Sequence, residues 1–145
     1  MKHQHNEESS SKLAFSATVH CLTGCGIGEV AGVIIGVALG LASLASLILG
    51  ITLGFIFGFM LGIIPLKRKG IKFKQAFKII FLAEVISIAV METTEVLIEI
   101  YTGTTSSGLS EPSFWIGMLL ALIGGFIVTY PVNYLMVRRG IRHIH

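Results

Sequence analysis

VAGVIIGVALGLASLASLILGITLGFIFGFMLGIIPL, residues 30–66, runs for 37 positions without one Asp, Glu, Lys, Arg or His. As a single helix this run would be about 55 Å long, against a bilayer hydrocarbon core of about 30 Å. It must fold back on itself, and no water-soluble core accommodates such a segment. The rest of the chain agrees. Its 145 residues are 53% hydrophobic and only 13% charged, where soluble domains carry about 25% charge. The mean hydropathy is +0.82.

Working outward, the run divides into the end of a first span and a whole second one. The fold expected is an all-α membrane protein with four transmembrane helices, at about 14–40, 44–66, 76–101 and 113–137. The turn after the first span carries only the weak stop signal Gly40-Leu41-Ala42-Ser43. Pro65 and the cluster Lys67, Arg68 and Lys69 close the second span. A loop rich in Gly, Ser and Thr separates the last two. Residues 1–13 form a polar tail expected to be disordered, and 140–145 a short basic tail. No cleavable signal peptide is evident, so the first span is expected to act as an uncleaved anchor.

The Lys and Arg count gives the orientation. Two lie in the N-terminal tail (Lys2, Lys12), six between spans two and three, and three after span four (Arg138, Arg139, Arg142), which is all eleven. Both termini are therefore expected in the cytoplasm. Net charge +3 and a pI near 9.0 would suit a nucleic-acid binder. Here, however, the cations flank apolar spans, so the expected partner is the lipid bilayer and not nucleic acid.

Spans one and two repeat glycine at every fourth residue: Gly24, Gly28, Gly32, Gly36 and Gly40, then Gly50, Gly54, Gly58 and Gly62. Ridges without side chains let helix backbones approach closely, which drives association where lipid supplies no hydrophobic force. Glycine-zipper packing of helices 1 and 2 is expected. The same ridges could equally build a homo-oligomer.

The polar residues inside the spans carry the functional argument. Ionisable groups in hydrocarbon cost about 2.5–3.5 kcal/mol each on insertion scales and usually face a partner or a pathway. Span one holds His20, Cys21, Cys25 and Glu29. Relative to Cys21, Cys25 lies at about 40° and Glu29 at about 80°, so three potential ligands share a face. Span three holds Glu84, Met91, Glu92, Glu95 and Glu99, all within an arc of about 100°. Both helices start from the same membrane side, and depth counted from their starts puts Glu84 level with Cys21 and Cys25.

Two thiols four residues apart can share an ion, with imidazole or carboxylate filling the remaining positions. Thiolate and thioether favour Cu(I) and Zn(II). The expected metal set is His20, Cys21, Cys25, Glu29 and Glu84, with Met91, Glu92, Glu95 and Glu99 lining a pathway. The His-x-His pairs at His3/His5 and His143/His145 could collect an ion at the cytoplasmic side, although tail histidines are commonly just solvated. Other uses stay open. Membrane cysteines often serve as small packing residues, Met91 is ordinary core material by itself, and buried carboxyls can relay protons. A redox role for the cysteines lacks a Cys-x-x-Cys spacing and any flavin or quinone motif. In span four, Thr129, Tyr130, Pro131 and Asn133 could kink the helix and supply hydrogen bonds.

The run His-Cys-Leu-Thr-Gly-Cys-Gly-Ile-Gly-Glu (20–29), Met91-Glu92, and Val-Thr-Tyr-Pro-Val-Asn (128–133) before a basic tail resemble an uncharacterised bacterial membrane-protein family. The pattern shared is His-Cys-x-x-Gly-Cys-x-x-Gly-Glu. The resemblance implies the bacterial inner membrane and carries no activity. With no nucleophile–base set, phosphate loop or nucleotide motif, an enzyme is not expected. The leading expectation is a protein that binds and moves Cu(I) or Zn(II). The alternatives are an assembly subunit packed by its glycines and a proton- or cation-conducting oligomer using the carboxylates.

Overall fold

The computed structural model describes the backbone of residues 2–141 and the side chains of 9–141 apart from Ile79. Four long helices form the fold: α1 Lys2–Ala38, α2 Ser43–Arg68, α3 Phe73–Thr102 and α4 Pro112–Arg138, with one 3-10 turn at Thr104–Ser106. No strand occurs among the described residues.

α1 starts at Lys2. Neither Gly nor Pro interrupts the chain before Gly24, so nothing in this segment breaks the helix that the apolar span nucleates. Gly40 closes α1 more firmly than its surroundings predict. Its φ is +65°, a left-handed conformation natural to glycine. It lets the Leu41 amide donate back to the Gly36 carbonyl at 2.8 Å. The same closure ends α2 at Gly70, where the Ile71 amide donates to the Leu66 carbonyl at 3.2 Å. α2 runs past Pro65 to Arg68, because a proline in the last turn sacrifices a single backbone hydrogen bond. Two four-residue connections, 39–42 and 69–72, make successive helices antiparallel.

In cross-section α1 packs on α2 and α4, α3 packs on the same two helices, and α1 meets α3 across the centre. Along the α1/α2 contact, glycine faces glycine: Gly24 meets Gly58, Gly28 meets Gly54, and Gly32 meets Gly50, with Gly36 against Ser46. A Cβ on Gly24 would lie 2.5 Å from the Gly58 Cα. The α1/α4 contact is polar near the N-terminal end. There the Asn133 amide donates to Thr18 Oγ1 at 2.9 Å, and Ser11 Oγ and Tyr130 OH lie 2.8 Å apart.

Polarity is inverted relative to a soluble bundle. Glu29, Glu84, Glu92, Glu95, Glu99, Thr129 and Asn133 are buried, while Phe15, Ile27, Val37, Leu44, Leu97, Ile116 and Ile127 are exposed. Among the described residues, three helical stretches are long and apolar enough to cross a membrane: Ser9–Ala38, Ser43–Arg68 and Pro112–Arg138. α3 is as long, but Lys74, Lys78 and four glutamates set it apart by composition. An apolar exterior over a polar interior, with three such helices, points to a membrane-embedded protein.

Candidate metal centre

α1 turns Cys21, Cys25 and Glu29 inward, all buried, as their positions at i, i+4 and i+8 require. α3 turns Glu84, Ile88, Met91, Glu92, Glu95 and Glu99 inward, also buried. Where the two faces meet, Cys25 Sγ and one carboxylate oxygen each from Glu92 and Glu95 lie within 4.8 Å of one another. Cys21 sits beside Cys25 in a cluster with Ile88 and Met91, edged by Leu22, Phe55 and Phe59. Glu29 lies within electrostatic reach of Glu92, Glu95 and Glu99.

Glycines on the neighbouring helices make room for these carboxylates. A Cβ on Gly54 of α2 would run into Glu92 Oε1 and come within 3.3 Å of the Cys25 Cα. A Cβ on Gly125 of α4 would lie 2.7 Å from Glu95 Oε1, and one on Gly62 would lie 2.8 Å from Glu84 Oε1. Each of these three carboxylates therefore occupies a place that a larger residue would fill. Both carboxylate oxygens of Glu29, Glu92 and Glu95 are buried without a hydrogen-bond partner, and so is Thr129 Oγ1. Unpaired carboxylates in a nonpolar interior are strongly disfavoured unless a proton or a cation neutralises them. One thiol with two or three carboxylates is a mixed sulfur–oxygen donor set suited to Zn(II), and Cys21, Cys25 and Met91 together offer the softer set that suits Cu(I).

His20 does not join the cluster. It is exposed, with Nδ1 2.7 Å from the carbonyl oxygen of Ser16, one turn back on its own helix. It shares a cavity of about 190 Å³ with Glu84, walled by Ser16, Gly62 and Pro65. At the other end of the bundle, Glu99 borders a cavity of about 120 Å³ whose mixed lining sets hydroxyls of Ser43, Ser46, Thr104, Thr105 and Ser107 against apolar side chains such as Val33, Leu47 and Phe114.

Glu84 stands beside His20, the neighbour of Cys21, close to the depth that counting from the helix starts gives it, and Glu92 and Glu95 approach Cys25 from the deeper side. The contacts fix these levels: Gly28 faces Gly54, and Gly54 faces Glu92, so Glu92 falls between the levels of Cys25 and Glu29. The signal for the seat on Gly125 is weaker than the glycine repeats of α1 and α2: small residues recur at every fourth position of α4, Gly117, Ala121, Gly125 and Thr129, all buried. The side chains of His3 and His5, and all of His143 and His145, lie outside the described residues.

The fold and this site together define a helical, membrane-embedded protein with a buried thiol–carboxylate cluster. The chain belongs to the family described as Domain of unknown function (DUF4396), whose family model matches residues 11–142. Nothing matches it among curated proteins or solved structures.

Proposed function

We propose that the protein binds a transition metal ion, Zn(II) or Cu(I), inside the membrane and conducts it from one face to the other without a catalytic step. The observation that carries this reading is the cluster of Cys25, Glu92 and Glu95, whose carboxylate oxygens are buried and unpaired. A bound cation would supply the missing charge and hold Cys25 as thiolate. Cys21, Glu29 and Met91 adjoin the cluster and complete the donor supply. The cavity with His20 and Glu84 is then one mouth of the route, and the cavity at Glu99 the other.

On this reading α3 is the fourth span. Its carboxylates disqualify it by composition, but they are buried behind the other three helices and do not meet lipid. The eleven Lys and Arg residues then fall on one side, with both termini in the cytoplasm and, following the family resemblance, at a bacterial inner membrane. The paired glycines act as a zipper closing the α1/α2 hairpin. A homo-oligomer would have to form on outward faces, since both ridges are occupied within the chain.

Metal content of protein purified anaerobically in detergent tests the reading, compared with Cys25→Ser and with Glu92→Gln/Glu95→Gln. Stoichiometric zinc or copper that disappears in both variants is the expected result. Absence of metal from the wild type after loading with Zn(II) or Cu(I) would falsify it. The column of four carboxylates, Glu29, Glu92, Glu95 and Glu99, favours proton conduction as a second reading. Proton flux in vesicles that survives Cys21→Ser/Cys25→Ser and fails in the glutamine variant would select that one.

A further inference from the structure

Outside the carboxylate column, a groove between α2 and α3 opens to the outside of the bundle, with a volume of about 590 Å³. It exists because the glycines draw α2 tightly onto α1, while α2 meets α3 more loosely. Its walls are Ile56, Met60, Ile63 and Ile64 of α2 and Phe73 and Phe77 of α3. Phe77 stacks on Phe59 at 5.5 Å between ring centroids and on Phe73 at 6.3 Å, giving one wall a flat aromatic surface. A single polar side chain reaches the lining, that of Lys67 at the mouth.

The charge around that mouth is one-signed. Lys67, Arg68, Lys69, Lys72, Lys74 and Lys78 are all exposed, and no Asp or Glu occurs between Glu29 and Glu84. No carboxylate among the described residues pairs with Lys67. The groove reaches from Lys67 down to Phe55, about 18 Å along the helix axis, comparable with the roughly 15 Å of hydrocarbon in one leaflet. A cation therefore stands at headgroup height above a leaflet-deep apolar slot.

We infer that the α2/α3 groove is a binding site for one anionic phospholipid, its acyl chain against Met60, Ile64 and Phe77 and its phosphate at Lys67. Clustered cations at a membrane surface attract anionic headgroups, and the aromatic wall adds shape to what would otherwise be a diffuse basic fringe. The inference is independent of any metal, since no residue of the thiol–carboxylate cluster lines the groove.

Native mass spectrometry of the full chain in detergent, titrated with phosphatidylglycerol or phosphatidylcholine, tests it. Phosphatidylglycerol is expected to remain bound as a single adduct where phosphatidylcholine does not. Lys67→Gln should weaken it about fivefold, the effect of one surface cation. Ile64→Trp, which fills the slot and leaves every charge in place, should weaken it at least as much. Lys78→Gln, in the basic fringe but outside the lining, should weaken it clearly less than Lys67→Gln does. Equal retention of the two lipids would overturn the proposal. So would equal losses in the two lysine variants with Ile64→Trp unaffected, which would describe a general basic surface. Displacement of the lipid by a second copy of the chain would also overturn it.

Discussion

The α1/α2 contact and the contacts of α3 with α2 and α4 both use glycine, but for opposite purposes. Along α1/α2, glycine faces glycine, and a Cβ at Gly24, Gly28 or Gly32 would meet backbone atoms of the partner helix. At Gly54, Gly62 and Gly125 the space is taken by carboxylates from α3. The first arrangement brings main chains together and leaves nothing between them. The second holds open a place for a polar group in an interior that otherwise excludes it. One helix serves both contacts: Gly54 offers its backbone to Gly28 and its vacant Cβ direction to Glu92. The glycine pattern thus sets the helix spacing and also the level at which carboxylates can enter the bundle.

The sharpest way to break this distinction is to add one methyl group on each side. Gly28→Ala should have the largest effect on folding, because the new Cβ meets Gly54 N and Cα, which cannot rotate away. Overpacking of this kind costs about 1–3 kcal/mol, read as a lowered thermal midpoint in detergent. An unchanged midpoint would mean that the hairpin is not held by backbone contact. Gly125→Ala should act differently. Its Cβ meets Glu95 Oε1, Cγ and Cδ at 2.7–3.1 Å, atoms of a flexible side chain that can turn aside. Stability should fall by less than about 1 kcal/mol, with little change in the midpoint, while zinc affinity in a competition titration falls roughly tenfold or more. Affinity and midpoint falling together would show instead that the seat on Gly125 is structural.

The α1, α2 and α4 spans were readable because long apolar runs admit few other solutions. The inward faces were readable too, since helical periodicity alone groups Cys21 with Cys25 and Glu29, and Glu84 with Glu92, Glu95 and Glu99. What periodicity does not contain is the offset between helices. Counting from the helix starts places Glu84 near Cys21, where it stands beside His20, but only the facing glycines show that Glu92 and Glu95 reach Cys25. Gly125 belongs to a run of small residues at every fourth position of α4, Gly117, Ala121, Gly125 and Thr129, but which side chain such a run admits shows only when a partner is seen to occupy the space.

His20 offers the smallest and most discriminating test of that offset. As an ionisable group in the same span as Cys21, Cys25 and Glu29, it reads from sequence as a metal ligand. Yet it lies exposed, bonded to its own helix, in the cavity that Glu84 shares. A residue at a mouth influences capture of an ion more than retention of one. His20→Ala should therefore leave bound metal and thermal midpoint unchanged within error. It should slow uptake into vesicles by only about two- to fivefold, the scale of losing one weak contact. Loss of the bound metal in this variant would move the centre toward His20, Cys21 and Glu84. Retained metal with slowed uptake would instead separate the mouth from the centre, with Cys25, Glu92 and Glu95 holding the ion one to two helical turns deeper.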